Sequence, residues 1–501
     1  MNRIDRLLNS ITMYRLVVYV LGILTVAAVI STFMGKLSAS PTLLLISLGL
    51  CIISTYITDR GCGRLFGVPA NQESALITAL ILFLIVQPAH SLMTGIALVL
   101  AGVIACATKF LLTYNARHVF NPAAFGAAVV SLTGLQATTW WVGNSLFWPL
   151  SLLLGLAVVR KMRKLPLVLS FVAVSVLLQL VVFIHAGQPL VPNMRQALIA
   201  SPLIFLATIM LTEPATMPPR RNQQLVFGAI VAVLYVMAWH IGPLIIYPEV
   251  ALLLGNLFAF AVSPKFRLRL KLLEVEQISN RVFNYVFQPE RPFHFLPGQY
   301  MEWTLDNVPY DSRGNRRTFT IASSPTESSV QLGLKYQEPA SMFKATFAQL
   351  RPGDIIHASQ LAGNFTLNGN ENRKLVFIAG GIGITPFRSM IKYIVDKNIT
   401  VDIVLLYVVG DPNEFAYTTL LHAAHVQGVK LIPIITNPAY HADGAITAKL
   451  NDSLVIKLVP DYNERLFYIS GPSNMVDATQ ELLHALHIPR THIKTDHFSG
   501  Y

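Results

Sequence analysis

Residues 375–386 read LVFIAGGIGITP. This spacing predicts a strand over 375–379, a turn at Gly380, Gly381 and Gly383, and a helix opened by Thr385 and Pro386. Glycines let backbone N–H groups approach a pyrophosphate, and a helix N-terminus adds partial positive charge. An ordinary strand-to-helix turn carries the same letters, so the rest of the chain must decide. A second constellation lies at 315–325, NRRTFTIASSP. Arg317 can pair with a pyrophosphate, Phe319 can cover a flat ring, and the Thr320 hydroxyl can bond a ring nitrogen. A plain alternating strand reads the same way.

These residues need a scaffold. From residue 375 apolar strands (LVFIAG, DIVLLYVV, KLIPIIT, RLFYISG) alternate with helical stretches (PFRSMIKYIVD, TTLLHAAH, NMVDATQELLHALH). That alternation predicts a parallel sheet with covering helices. Residues 266–370 are instead rich in short alternating strands with Gly and Pro turns, the pattern of an antiparallel barrel.

The N-terminal half is of another kind. The 501 residues are 53% hydrophobic and only 13% charged, with mean hydropathy +0.52. Ordinary soluble proteins carry about 25% charged residues. Residues 1–271 hold 19 Lys+Arg against 5 Asp+Glu, whereas 272–501 hold 19 against 21. Ten candidate spans run over 14–33, 41–57, 74–87, 92–112, 120–132, 146–159, 167–185, 197–211, 225–240 and 248–262. Several are shorter than the ~20 residues that cross a bilayer, so they extend into polar flanks or are broken helices lining an enclosed site. With the N-terminus inside, inside segments carry seventeen Lys and Arg, while outside segments carry only Lys36 and Arg195. The basic excess therefore reads as topology, not as a nucleic-acid surface, and the soluble half faces the cytoplasm.

Cys51, Cys62 and Cys106 have no CxxC spacing, which speaks against a disulfide framework, a zinc site or a self-contained iron–sulfur cluster. His90, His118, His185 and His240 are isolated near span ends, unlike the paired histidines that hold stacked haems. Two proline-broken stretches stand out: 117–126, RHVFNPAAFG, and 211–221, LTEPATMPPRR. Such breaks expose backbone dipoles that can hold a polar ligand, or they are simply caps and turns. Glu213 is the carboxylate of the second stretch, able to move protons or cations, or merely a hydrated helix end.

On the NPAAFG and TEPATMPP stretches and the ten-span plan, residues 15–262 resemble the membrane subunits B of the sodium-translocating NADH:quinone reductase and D of the Rnf complex. That family usually carries covalent FMN on the threonine of a D-G-x-S-(G/Q)-A-T sequence. Here Gln136-Ala137-Thr138 matches the tail, but Leu132 and Leu135 replace the Asp and Ser. The resemblance makes Thr138 a candidate attachment site; a non-covalent flavin or a lost site are the alternatives.

From about residue 270 to 501 the chain resembles the ferredoxin–NADP reductase family, through GQY, RTFT, Gly363-Asn364-Phe365, GGIGITP, YISGP and DHFSGY in that order. The resemblance implies FAD with Arg317 on its pyrophosphate, Phe319 stacked on its ring, Thr320 near N5, Ser341 on its phosphates and Tyr300 beside it. It implies Gly380, Gly381, Gly383, Thr385 and Pro386 along the pyridine-nucleotide pyrophosphate, and Gly471 and Pro472 facing the nicotinamide. Ser470 stands where a Cys is common, RTFT where RxYS is commoner, and Phe498 or Tyr501 is the terminal aromatic over the flavin. After the second nucleotide-domain strand, 409–414 reads VGDPNE, without a basic residue for a 2′-phosphate. Asp411 is positioned to bond ribose hydroxyls, which favours NADH.

The expected architecture is multi-domain: a polytopic α-helical membrane domain of about ten spans over 1–264, an antiparallel β-barrel FAD domain over 265–370, and an α/β parallel-sheet nucleotide-binding domain over 371–501. The expected activity passes electrons from NADH via FAD to a membrane acceptor: quinone, a membrane flavin such as FMN, or partner redox subunits. The expected location is the cytoplasmic membrane, with no metal and no nucleic acid. A second expectation is a membrane protein that binds or transports a small molecule such as a flavin, with the reductase half as a regulatory module.

Overall fold

The computed structural model describes residues 8, 11–67, 72–114, 117–237, 240–241, 244–245, 247–263, 267–305, 315–336, 340–367 and 369–498. The chain divides into two compact units that part in sequence between residues 265 and 266.

The first unit is helical. Its elements are α1 (Met13–Phe33), α2 (Pro41–Phe66), α3 (Gln72–Ile85), α4 (Leu92–Leu111), α5 (Pro122–Leu132), α6 (Trp148–Met162), α7 (Leu165–His185), α8 (Leu190–Ile199), α9 (Leu203–Met210), α10 (Arg221–Met237) and α11 (Pro248–Val262). Each apolar stretch read from the sequence carries a helix, and the eighth carries the pair α8–α9, bent by 45°. Among the described residues four helices (α1, α2, α4, α7) are long and apolar enough to cross a membrane, or five spans if the bent pair counts as one. The ten stretches are thus matched by helices, most of them close to the lengths read from the sequence, but the helices of crossing length are these four or five and not ten. Local chemistry sets the short ones: Asn121 caps α5 by accepting from Ala124 N at 2.9 Å, and Pro122 occupies its first turn. Only 28% of the apolar window is buried within the unit in α2 and in α7, so their outward faces are greasy. Inside, small residues bring helices close: a Cβ on Gly126 of α5 would lie 2.3 Å from the Ala101 carbonyl oxygen of α4.

The second unit holds two six-stranded sheets. The first comprises β1 (Arg267–Ser279), β2 (Val282–Pro289), β3 (Tyr300–Thr304), β4 (Arg316–Thr320), β5 (Val330–Lys335) and, after helix α12 (Met342–Phe347), β6 (Ile355–Ala362). Its strands pair antiparallel in the order β4-β3-β6-β1-β2-β5, around a core including Trp303, Phe287 and Phe347.

The second sheet comprises β7 (Lys374–Gly380), β8 (Asp402–Val409), β9 (Val429–Ile435), β10 (Ile446–Thr447), β11 (Leu466–Pro472) and β12 (Ile493–Phe498). It is parallel throughout, in the order β10-β9-β8-β7-β11-β12. Helices α13 (Thr385–Asp396), α14 (Thr418–Ala423), α15 (Asp452–Leu458) and α16 (Ser473–Ala485) join its strands. β7 is buried from Leu375 to Gly380, as a central strand covered on both faces must be. The strand order reverses between β7 and β11, and ligands of such sheets bind outside the carboxyl ends of the strands at that switch.

Candidate active site

On the antiparallel sheet, Tyr300 pairs with Thr320 and Trp303 with Arg317. Strand alternation sends Arg317 and Phe319 to one face and Thr320, which is buried, to the other. Arg317 and Phe319 meet at Phe343 of α12: the Phe319 and Phe343 ring centroids are 5.8 Å apart, and the Arg317 guanidinium lies 5.2 Å from the Phe343 ring. Ser341 caps α12, accepting from Lys344 N at 3.3 Å. Arg317, Phe319 and Ser341 therefore gather around the start of one short helix.

The glycine turn is built as its letters require. β7 ends at Gly380, one 3-10 turn spans Gly381–Ile384, and α13 begins at Thr385 with Pro386 in its first turn. Gly381 has φ +53°, left-handed, and a Cβ there would meet nothing within 4 Å, so its outer side is open. Gly383 is glycine for the opposite reason: a Cβ would lie 2.3 Å from the Ser470 carbonyl oxygen and 2.6 Å from Gly471 Cα. Ser470 is fully buried, and its Oγ has no hydrogen-bond partner among the described residues. A buried hydroxyl left unsatisfied beside an open glycine turn is what a bound ligand would complete. In β12, Asp496 lies opposite Ser470, and Phe498 lies opposite Pro472.

Asp496 also acts electrostatically on Tyr300; burial raises the Tyr300 hydroxyl above its ordinary pKa, and the Asp496 charge adds to the rise. Tyr300 is paired with Thr320 on one sheet and Ser470 with Asp496 on the other, and the Asp496 charge is felt at Tyr300. The sequence reading took only the aromatics from DHFSGY. The overlooked signal is the carboxylate two residues before Phe498. Tyr501 lies outside the described residues. Asp411 spends Oδ1 on a local turn, accepting from Asn413 N at 2.9 Å and Asn413 Nδ2 at 3.0 Å, which leaves Oδ2 for a ribose.

Side chains from α13 clasp the antiparallel sheet. Arg388 pairs with Glu327 through its two terminal guanidinium nitrogens, Nη2 to Oε1 at 2.9 Å and Nη1 to Oε2, and Nη1 also donates to the Ala322 carbonyl at 3.1 Å. Ser389 Oγ donates to the Ser323 carbonyl at 2.6 Å, and Thr326 Oγ1 to Asp396 at 2.5 Å. The clasp grips the residues that follow Thr320, so the strand end bearing Thr320 and the helix opened by Thr385 are fixed together. None of these partners is close in sequence to the other.

In the helical unit the two proline-broken stretches come together. Glu213 Oε2 accepts from Asn121 Nδ2 and from Thr216 Oγ1, both at 2.8 Å. Asn256 of α11 closes the junction, accepting from Asn121 N at 2.9 Å and donating to the Thr216 carbonyl at 3.2 Å. Asn121 and Glu213, with Lys109, Ile77, Val158 and Ile209, line a cavity of about 90 Å³. Thr138 is elsewhere: its hydroxyl donates to Glu249 Oε1 at 2.5 Å, and Trp140 Nε1 donates to Glu249 Oε2 at 2.8 Å. Glu249, fully buried in the first turn of α11, was not singled out from the sequence, because its partners lie more than a hundred residues away. Among the described residues no cluster of three or more His, Cys, Asp or Glu could hold a metal.

Residues 377–481 match the family model described as an oxidoreductase NAD-binding domain. The chain is 26% identical over 230 residues to the glycine betaine monooxygenase reductase subunit of Pseudomonas aeruginosa, covering 44% of this chain and 62% of that protein. It is 21% identical over 237 residues to the flavohemoprotein of Oceanobacillus iheyensis, covering 46% and 58%. The flavohem-like FAD/NAD-binding domain of nitric oxide dioxygenase from Vibrio cholerae O1 biovar El Tor aligns at 19% identity and a TM-score of 0.41, covering 46% of this chain and 98% of that one. The chain spans 58–62% of the length of these two curated relatives. The C-terminal half matches the ferredoxin–NADP reductase and flavohemoprotein-like FAD/NAD-binding family.

Proposed function

We propose that the chain is a membrane-bound, flavin-dependent NADH oxidoreductase that passes electrons from NADH via FAD to an acceptor at the membrane. The observation that carries this reading is the buried, unpartnered Ser470 hydroxyl on a strand packed against Gly383, beside a glycine turn that is open at Gly381. FAD would accept hydride from NADH and release electrons singly. Arg317 and Ser341 would hold its phosphates, and Phe319 and Phe498 would cover its ring. Thr320 and Ser470 would bond the reacting edge, with Tyr300 packed beside it. Gly380, Gly381, Gly383, Thr385 and Pro386 would cradle the pyrophosphate of NADH, and Gly471 and Pro472 would abut the nicotinamide.

NADH is favoured over NADPH by the absence of a basic residue at 410–414 and by the carboxylate of Asp411 there. Membrane insertion is supported by four long apolar helices with exposed side chains such as Ile23, Val26, Leu177 and Val181, and by the basic excess on one side. In this reading both the N-terminus and the reductase half face the cytoplasm, and the acceptor is quinone, a membrane flavin such as FMN, or a partner redox subunit. The cavity beside Glu213 favours a second reading, in which the helical unit binds a small molecule and the reductase half regulates it.

The test is anaerobic addition of NADH to the detergent-purified chain while flavin absorbance is recorded. Bleaching, followed by reoxidation with a quinone, is expected. Bound flavin that stays oxidised sinks the reductase reading, and reoxidation by a soluble dye but by no quinone sinks the quinone acceptor.

A further inference from the structure

Tyr417 has a role that none of the motifs assigns. It ends the segment 410–417, which leaves the carboxyl end of β8 beside the glycine turn. Its φ is +60°, a left-handed conformation that is strained for a non-glycine residue and persists only where the surroundings over-determine it. The surroundings do so here. The Tyr417 phenol donates to Asn284 Oδ1 of β2 at 3.1 Å. Asn284 is itself fixed, its Nδ2 donating to Glu276 at 3.0 Å and Gln331 at 3.1 Å. The Arg388 guanidinium lies 5.7 Å from the Tyr417 ring, on the residue that clasps Glu327.

Gly333 of β5 marks where these groups converge. A Cβ there would lie 2.5 Å from the Tyr417 hydroxyl, 2.9 Å from Thr385 Cγ2 and 3.5 Å from Ile382 Cδ1. The phenol and two side chains of the glycine turn therefore press on the same bare point of the antiparallel sheet. The same segment is stitched down twice more: Asn280 N donates to the Asn413 carbonyl at 3.3 Å, and Lys335 pairs with Glu414 at 2.5 Å.

We propose that Tyr417 is a positioning residue: it seats the glycine turn on the antiparallel sheet and so sets the gap that hydride must cross. The proposal rests on the reductase reading for its kinetic consequence, but the seating itself does not. Hydride transfer is sensitive to sub-ångström changes in approach, whereas nucleotide affinity comes from many contacts spread along the cofactor. Loss of the phenol should therefore act on rate and spare affinity.

Two measurements on the full-length chain test this. In stopped-flow reduction of bound flavin by NADH, Tyr417→Phe is expected to lower the limiting rate by about 10-fold, with the NADH dissociation constant changed less than about 2-fold. In an Asn284→Ala background, Tyr417→Phe is expected to have no further effect. Hydrogen exchange, which needs no turnover, is expected to run about 10-fold faster at 381–387 in Tyr417→Phe and to stay unchanged at 403–408. A wild-type limiting rate in Tyr417→Phe, or affinity and rate lost together, overturns the proposal. So does unchanged exchange at 381–387, whether or not NADH bleaches the flavin. Absence of bleaching with accelerated exchange would instead overturn the reductase reading and leave the seating role standing.

Discussion

The clasp between α13 and the antiparallel sheet makes the sharpest prediction about stability. Arg388→Met keeps most of the side-chain volume and removes the guanidinium. Glu327 then loses both of its guanidinium contacts while its side chain remains 15% exposed, and the Ala322 carbonyl loses a donor. Breaking a buried pair from one side costs about 3–5 kcal/mol, because the surviving charge stays desolvated. With a urea slope of about 2–3 kcal/mol/M, the midpoint of the C-terminal unit should fall by roughly 1–2.5 M. Pulse proteolysis in graded urea reads that midpoint from the surviving fragment without interference from the helical unit. Glu327→Gln should cost less, because the Gln carbonyl oxygen can still accept from Arg388, which also keeps the Ala322 carbonyl. The double variant Arg388→Met/Glu327→Leu should be clearly more stable than the sum of single losses predicts. A midpoint shift below about 0.3 M in Arg388→Met, or full additivity in the double, refutes the reasoning.

Gly383→Ala places a methyl against the Ser470 carbonyl, 2.3 Å away, where only backbone movement can relieve it; the NADH dissociation constant in stopped-flow reduction should rise at least about 10-fold. Asp461 is held down to about 2, first by its hydrogen bond from Arg465 and further by Lys374. Its unfolded value is near 3.8, so its stabilising contribution is complete above about pH 4 and is lost as pH falls through about 2. An acid titration of unfolding should show that loss in the wild type and lack it in Asp461→Asn. The Thr138 hydroxyl is committed to Glu249 at 2.5 Å, so acid precipitation should release all bound flavin; flavin retained in the pellet and lost in Thr138→Val would contradict this.

The readable parts of the chain were those whose physics is local. Gly381 is glycine because of its own φ; Gly383, whose reason is the distant β11 running against it, was legible only because it falls in the same short string. The buried strands β7, β8, β9 and β11 announce themselves as apolar runs. Helix positions in the first unit, and most helix lengths, were legible from hydropathy; the extension of α2 to Phe66 and the bent pair α8–α9 in place of one stretch were not. Arg388 with Glu327, Tyr417 with Asn284 and Thr138 with Glu249 could not be read, because each pair is meaningful only once distant segments touch. β12, with isoleucine and phenylalanine only at its ends, lacks the apolar run that marks the other strands, so Asp496 went unnoticed between them.

The junction of Asn121, Glu213, Thr216 and Asn256 has a consequence for how the helical unit is made. Asn121 enters the chain 92 residues before Glu213 and 135 before Asn256. In an apolar surround there is no hydrophobic force to draw these segments together, and an amide without partners is costly there. On the membrane-bound reading proposed above, the early helices are inserted and then wait, with Asn121 Oδ1 already capping α5 but its Nδ2 and backbone N–H unpaired, until the segment after α9 and finally α11 arrive. On that reading assembly of this unit is timed by its last helix, and a chain halted before residue 256 would keep the Asn121 N–H and the Thr216 carbonyl without their Asn256 partner.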